Sequence, residues 1–247
     1  MEDALLTTIL LDLDGTLLPL DQKGFMQGYM TLFAERCSQL GYAPKRMLAA
    51  LQAGLAAMLE NDGSMTNKQR FDQVFAEISA VDNEYFNQQF ASFYAEEFNQ
   101  LRLHANPTAQ ASALVEELRA KGYTVVLATT PVFPWQGTWA RLGWAGLTSE
   151  QFSLITTYED CSFTKPKLGY YEEILSRLQV PARNCLMIGN DVTEDMAPAQ
   201  LGMDVYLVTD CLINEGANSI DSYRKGSFED LMRFCKELAV CPQPRRV

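Results

Sequence analysis

The first residues able to do chemistry are two aspartates at the end of a short apolar run, Thr8-Ile9-Leu10-Leu11-Asp12-Leu13-Asp14-Gly15-Thr16-Leu17. The run opens on β-branched residues and is bounded by glycine, so it reads as a buried strand rather than a helix. Carboxylates two residues apart repel unless something compensates them, and a hard cation such as Mg²⁺, which prefers oxygen ligands, is the usual answer. In an open parallel α/β sheet, ligands bind outside the carboxyl ends of the strands, which is where Asp12 and Asp14 would stand. Gly15 allows a sharp turn or a close approach of backbone to ligand. The plainer alternative is that both aspartates only cap the segment that follows.

Three later stretches complement this pair. Thr129 and Thr130 close a second apolar run, Tyr123 to Ala128; Lys165 lies in a loop before Pro166; and Asp191 and Asp195 follow a third run, Cys185 to Gly189. Several carboxylates can hold a cation, while a hydroxyl and an ammonium can hold an anion. The reaction that calls for both is phosphoryl transfer, in which charge on the moving group must be neutralised.

The elements that must position these residues follow from periodicity. Strands are expected at the first run, at Tyr123–Thr129, in a short stretch around Phe152–Thr156, at Cys185–Gly189 and at Val205–Val208, with helices between them. Helices are expected around Ala111–Leu118, where Asn106-Pro107 suits an N-cap and first helical position, at Trp135–Leu142, at Tyr170–Leu178, and from a capping box at Ser227-Phe228-Glu229-Asp230 to Leu238. A short helix is expected up to Leu201. Strands alternating with helices imply a mostly parallel sheet in an α/β three-layer, Rossmann-like core. Between the first strand and the rest of the sheet lie about 80 residues with helical spacing and no strand pattern. They begin with a turn or flap bracketed by Pro19 and Gly24. Four helices follow, marked by Met26–Leu40, Met47–Leu59, Phe71–Ile78 and Tyr85–Leu101. The expected organisation is a core domain from residues 1–18 and 104–247 and an inserted helical bundle over 19–103. The Met and aromatic stripes of the insert read as bundle core.

Composition excludes several classes. The chain has 247 residues, 47% hydrophobic and 21% charged, and a net charge of −11. That acidity argues against sequence-independent nucleic-acid binding, which needs basic surface. No apolar run approaches the length of a membrane span, and no signal-peptide pattern is seen at the N-terminus. The six cysteines form no C-x-x-C pair and read as reduced thiols, so a cytoplasmic setting is expected. Walker A, dinucleotide, H-E-x-x-H and G-x-S-x-G motifs are absent. The single histidine, His104, sits at the insert boundary and reads as structural or exposed.

In order and context these positions resemble the four motifs of the haloacid dehalogenase-like superfamily. Asp12-Leu13-Asp14-Gly15-Thr16 is similar to the first, Thr129 to the second, Lys165 to the third, and Gly189-Asn190-Asp191-Val192-Thr193-Glu194-Asp195 to the fourth. The helical insert resembles the family's type 1 cap. The resemblance implies that Asp12 is a nucleophile forming an aspartyl-phosphate and that Asp14 is the general acid and base. It implies that Thr129, Thr130 and Lys165 bind phosphate, and that Mg²⁺ sits on Asp12, the Asp14 carbonyl and an acid of the last motif. Two departures matter. The second motif often ends Thr-Asn or Ser-Asn and here ends Thr129-Thr130. The fourth often begins Gly-Asp and here begins Gly189-Asn190-Asp191. Asp191 is the favoured metal ligand, with Asn190 and Asp195 in supporting positions. The family's dehalogenase branch needs neither the Asp14-type acid nor the metal, so both features favour a Mg²⁺-dependent phosphatase of a small phosphorylated metabolite. A phosphomutase of the same fold and a non-catalytic binding module are the alternatives. Gln22, Lys23, Phe25 and Tyr29 are the nearest candidates for substrate contact. Oligomeric state is not legible.

Overall fold

The computed structural model describes residues 5–241. The ends of the expected core segments, residues 1–4 and 242–247, lie outside the described residues. Six strands form one all-parallel sheet: β1 (Thr8–Leu11), β2 (Thr124–Leu127), β3 (Leu154–Ile155), β4 (Cys185–Gly189), β5 (Asp204–Val208) and β6 (Arg224–Gly226), in the order β3-β2-β1-β4-β5-β6. β1 is central. Its Leu11 stands level with Leu127 of β2 and Ile188 of β4, so all three strands deliver their following residues to one rim. The chain fills one side of β1, then crosses to the other, and ligands bind at such a switch point in open sheets.

Parallel strands need cover on both faces, and alternate residues divide between two layers. Ile9, Leu11, Val125, Leu127, Leu186 and Ile188 pack with α5 (Ala109–Ala120) and α8 (Phe228–Glu237). Leu10, Val126 and Met187 pack on the opposite face with Tyr170, Tyr171 and Ile174 of α7 (Leu168–Leu178). Completely burying one such apolar side chain contributes about 1.5–3 kcal/mol. Ser227 caps α8, and Asp230 reaches back to the Ser227 N–H, closing the expected capping box with Asp in place of the usual Glu or Gln. α6 (Trp135–Trp144) follows the Thr129–Pro134 loop.

Between β1 and α5 the chain forms α1 (Gln22–Gln39), α2 (Pro44–Leu59), α3 (Asn67–Ser79), α4 (Asn83–Phe90) and a 3-10 segment, Glu97–His104. The two crossings run side by side: the Asp21 N–H donates to the His104 carbonyl at 3.0 Å, and the Asn106 N–H to the Pro19 carbonyl at 2.8 Å. On the far side, the Asn67 amide donates to the carbonyls of Pro131 (3.2 Å) and Phe163 (3.1 Å). Aromatic side chains of the insert share one core with the sheet.

Several local expectations are corrected. α1 begins at Gln22, capped by Asp21, so Gly24 belongs to the helix and not to a flap. Its near neighbours explain the residue type: a Cβ there would meet Asp21 and His104. The fourth helix stops at Phe90, and the chain continues through turns into the 3-10 segment. Thr108, not Asn106, precedes α5. The short helix ending at Leu201 is a 3-10 turn, Ala197–Leu201. β6 was not expected, because Arg-Lys-Gly carries no strand pattern and pairs only as an edge.

Candidate active site

The rim of β1, β2 and β4 closes around a polar cavity of about 170 Å³. Asp12 follows β1 directly, and its N–H donates to the Ile188 carbonyl at 2.9 Å, which ties it to β4. Gly15 then turns the chain with φ +92°, and a Cβ there would fall 2.4 Å from the Asn190 amide nitrogen. Glycine thus serves both the turn and the close approach of two loops. Gly189 plays a similar part, since its Cβ would meet the Asp195 carboxyl at 2.1 Å.

Lys165 is 2% exposed, and its ammonium donates to Asp12 Oδ1 at 2.8 Å and Asp195 Oδ1 at 2.6 Å. Burial opposes its charge, but the two carboxylates hold its pKa well above the usual range. Asp195 Oδ2 accepts from the Asp191 N–H at 2.9 Å, so this one carboxylate links Lys165 to the loop after β4. Burial raises the Asp12 carboxyl to about 8, against the pull of Lys165. Burial also raises Asp14, against the pull of Arg141.

Asp14 Oδ2 is paired with the Arg141 guanidinium of α6, while Asp14 Oδ1 is buried and meets no donor within the protein. Arg141 is 1% exposed and lies 4.6 Å from the centroid of the Phe133 ring, a cation–π contact. The Gln22 amide donates to the Asp14 carbonyl at 3.2 Å. Thr129 is buried on the cavity wall, and its carbonyl accepts from Thr156 and Tyr170. The Thr130 hydroxyl donates to Glu194 Oε2 at 2.6 Å. Burial raises the Glu194 carboxyl to about 7. Asp191 Oδ1 accepts from the N–H groups of Thr193 (2.7 Å) and Glu194 (2.9 Å), and burial raises its pKa. Asn190 spends its oxygen on the Thr16 hydroxyl (3.0 Å) and its nitrogen on the Cys211 carbonyl (2.6 Å).

The residues singled out as catalytic, phosphate-binding or metal-binding therefore meet at one cavity or hold those that do. Of the insert candidates, Gln22 and Phe25 line it, Tyr29 lines a neighbouring aromatic cavity, and Lys23 faces a separate open cleft. His104 stands apart, 3.9 Å from Asp21. Two members were not singled out from sequence. Arg141 could have been found as a lone cation on the apolar stripe of α6, beside Thr138, Leu142 and Trp144. Glu194 lay inside the last motif, but nothing local distinguishes its direction from that of its neighbours.

Five carboxylates, those of Asp12, Asp14, Asp191, Glu194 and Asp195, line the cavity, against the cations of Arg141 and Lys165. This excess of carboxyl groups over cations, with those of Asp12, Asp14, Asp191 and Glu194 raised by burial and one Asp14 oxygen unmatched, suits a hard divalent cation. Among the described residues no three His, Cys, Asp or Glu side chains form a ready-made metal cluster. Mg²⁺ does not need one, because it is held through one or two carboxylates together with water and substrate phosphate.

A family model described as haloacid dehalogenase-like hydrolase matches residues 6–202. No curated protein matches the chain by sequence. The fold is similar to a solved HAD phosphatase from Thermococcus onnurineus, at 16% identity and TM-score 0.56, over 93% of this chain and 97% of that one. It is also similar to the putative HAD-hydrolase YfnB from Bacillus subtilis, solved bound to magnesium, at 21% identity and TM-score 0.55, over 95% of this chain and 100% of that one. A 2-haloacid dehalogenase from Pseudomonas syringae pv. Tomato DC3000 matches at 19% identity and TM-score 0.57, over 93% and 97%. Identities this low speak for the fold and leave the reaction to the site.

Proposed function

This chain belongs to the haloacid dehalogenase-like hydrolase family, and on that premise we propose that it is a Mg²⁺-dependent phosphatase acting on a small phosphorylated metabolite through an aspartyl-phosphate. The observation that carries the reading is a pair of carboxyl groups on one cavity: Asp12, buried and held by Lys165, and Asp14, two residues on and half-buried, with one oxygen unmatched. A displacement at carbon would use Asp12 alone; phosphate ester cleavage also needs an acid for the leaving oxygen.

An Asp12 carboxylate oxygen attacks phosphorus, a P–O bond forms, and the bond to the leaving oxygen breaks. Asp14 gives its proton to that oxygen. Water then attacks the phosphorus of the aspartyl-phosphate, Asp14 takes the water proton, and Asp12 leaves as a carboxylate with inorganic phosphate. Lys165 and the Thr129 hydroxyl hold the phosphoryl oxygens, and Asp195 keeps Lys165 in place from behind. Arg141 pairs with Asp14 and stands ready to offer its guanidinium to a phosphoryl oxygen of the substrate. Asp12, the Asp14 carbonyl and Asp191 would hold Mg²⁺, which when bound neutralises phosphoryl charge. The raised Asp14 pKa suits a group that must carry a proton in one step and lose it in the next.

The test is phosphate release from a broad phosphomonoester panel, with Mg²⁺ and with chelator. Mg²⁺-dependent release is expected. Rearranged sugar phosphate with little free phosphate would replace the phosphatase by a mutase, and no turnover of any ester would remove the catalytic reading.

A further inference from the structure

Away from its two crossings the insert meets the core again, and there the contact is polar. Asn67, the first residue of α3, is fully buried, and Asn61, in the loop before it, is 1% exposed. A side-chain amide offers two N–H donors and one oxygen acceptor, and Asn67 uses all three. Its nitrogen donates to the carbonyls of Pro131 and Phe163, and its oxygen accepts from the Asn61 amide at 2.9 Å. The backbone runs the same way: the Asn67 N–H donates to the Cys161 carbonyl at 2.7 Å, and the Lys68 N–H to the Tyr158 carbonyl at 2.7 Å. From the core side, the Lys167 ammonium donates to the Asn61 carbonyl at 2.7 Å. The Phe163 ring seats against Gly63, where a Cβ would fall 2.2 Å from it.

The position of the two carbonyls gives this contact its meaning. Pro131 follows Thr130, and Phe163 stands two residues before Lys165. One side chain of the insert therefore bridges the loops that carry Thr129, Thr130 and Lys165. Among the described residues it is the only donor to either carbonyl. The core holds each loop by itself, Thr129 through Thr156 and Tyr170, and Lys165 through Asp195. Asn67 holds the two loops relative to each other.

We propose that Asn67 is a positioning residue of the phosphate site: oriented by Asn61, its amide sets the spacing of the two loops and so the grip of Thr129 and Lys165 on the phosphoryl oxygens. The identity of that anion rests on the phosphatase reading above. Asn67 itself lies outside the cavity lining. The nucleophile does not depend on this bridge, because the Asp12 N–H is tied to β4. Loss of Asn67 should therefore weaken phosphate binding more than it slows the chemical step.

Inorganic phosphate is the probe, measured as a competitive inhibitor of 4-nitrophenyl phosphate hydrolysis with Mg²⁺. Asn67→Ala should raise its inhibition constant and KM about tenfold, the worth of one or two neutral hydrogen bonds, and leave kcat within about threefold. Met47→Ala hollows the insert's core at the other end of α2 from Asn61. It should lower stability and leave both constants within about twofold. Because Asn67 acts through the Thr129 loop, its tenfold effect should shrink to about threefold or less in a Thr129→Val background, whereas independent effects would multiply. An unchanged phosphate constant in Asn67→Ala, an equal rise in Met47→Ala, or full multiplication with Thr129→Val would overturn the proposal and leave the phosphatase standing. Should Asn67→Ala not fold, Asn61→Ala, which removes the donor that orients Asn67, takes its place: a rise of about threefold supports the proposal, and no change overturns it. Should no ester be hydrolysed, the phosphatase reading fails, and calorimetry of inorganic phosphate with Mg²⁺ decides the bridge. Binding about tenfold weaker in Asn67→Ala supports it; equal binding, or none in the wild type, overturns it.

Discussion

The two adjoining cavities are built by opposite means. The polar one is made of loop residues that leave three neighbouring strands at a common level, so a few positions far apart in sequence are brought together by sheet register. Its side chains are committed: Lys165 has two carboxylate partners, Asp191 Oδ1 has two N–H partners, and Asn190 is spent at both ends. The aromatic one is made of ring faces on four helices with few polar partners. Rigid, preorganised charge suits a reaction common to many substrates, while a roomy apolar chamber suits the choice among them. Chemistry and selectivity should therefore be separable by mutation.

The largest expected effect is at Asp12. Asp12→Asn should lower kcat by about a thousandfold or more. Asp14→Asn should cost about 10²–10⁴-fold in kcat, the range for general acid–base catalysis. Read in kcat/KM, which reports formation of the aspartyl-phosphate and not its hydrolysis, the loss should shrink for esters with good leaving groups such as 4-nitrophenyl phosphate, which need no proton. A uniform loss would make Asp14 a structural partner of Arg141 instead. Lys165→Met should lower turnover about a hundredfold and also destabilise the fold by about 3–5 kcal/mol, since it strands Asp12 and Asp195 as buried carboxyl groups, and chemical denaturation reads that cost. In the aromatic cavity, Phe75→Ala should cost about 3–5 kcal/mol of stability, read by chemical denaturation, since its ring is buried.

The smallest effect is a pH dependence. Glu194 is held at about 7 in the fold, above its ordinary 4.5. A carboxyl raised on folding binds more protons in the native state, so its contribution to stability is complete below about 4.5 and is lost as pH rises through about 7. Without metal, the protein should gain at most about 3 kcal/mol from this group between pH 8 and pH 4.5. Glu194→Gln should remove that part of the slope, as urea titrations at a series of pH values would show.

The same contrast explains what the sequence could reveal. Asp12, Asp14, Thr129, Lys165 and Asp191 each end an apolar run or sit beside a proline, so local pattern marks them, and a parallel sheet must gather such ends at one rim. Five of the six strands and their parallel run were legible, but not their order, and β6, an edge strand without apolar alternation, was not expected. Arg141 was missed because it belongs to a helix whose relation to Asp14 is set only by tertiary packing. The aromatic cavity was missed for a related reason. Phe33, Phe75 and Phe90 recur at helical spacing as any bundle core would, and only the packed structure leaves space between them. The stop at Phe90 was hidden by Phe93 and Tyr94, which continue the apolar spacing through turns.

The most direct test of the central claim is rapid-quench mass spectrometry during turnover of 4-nitrophenyl phosphate with Mg²⁺. A phosphoryl group should accumulate on the peptide that carries Asp12, decay as phosphate is released, and be missing in Asp12→Asn. Phosphate release at full rate with Asp12 never modified, or persisting in Asp12→Asn, would contradict the account.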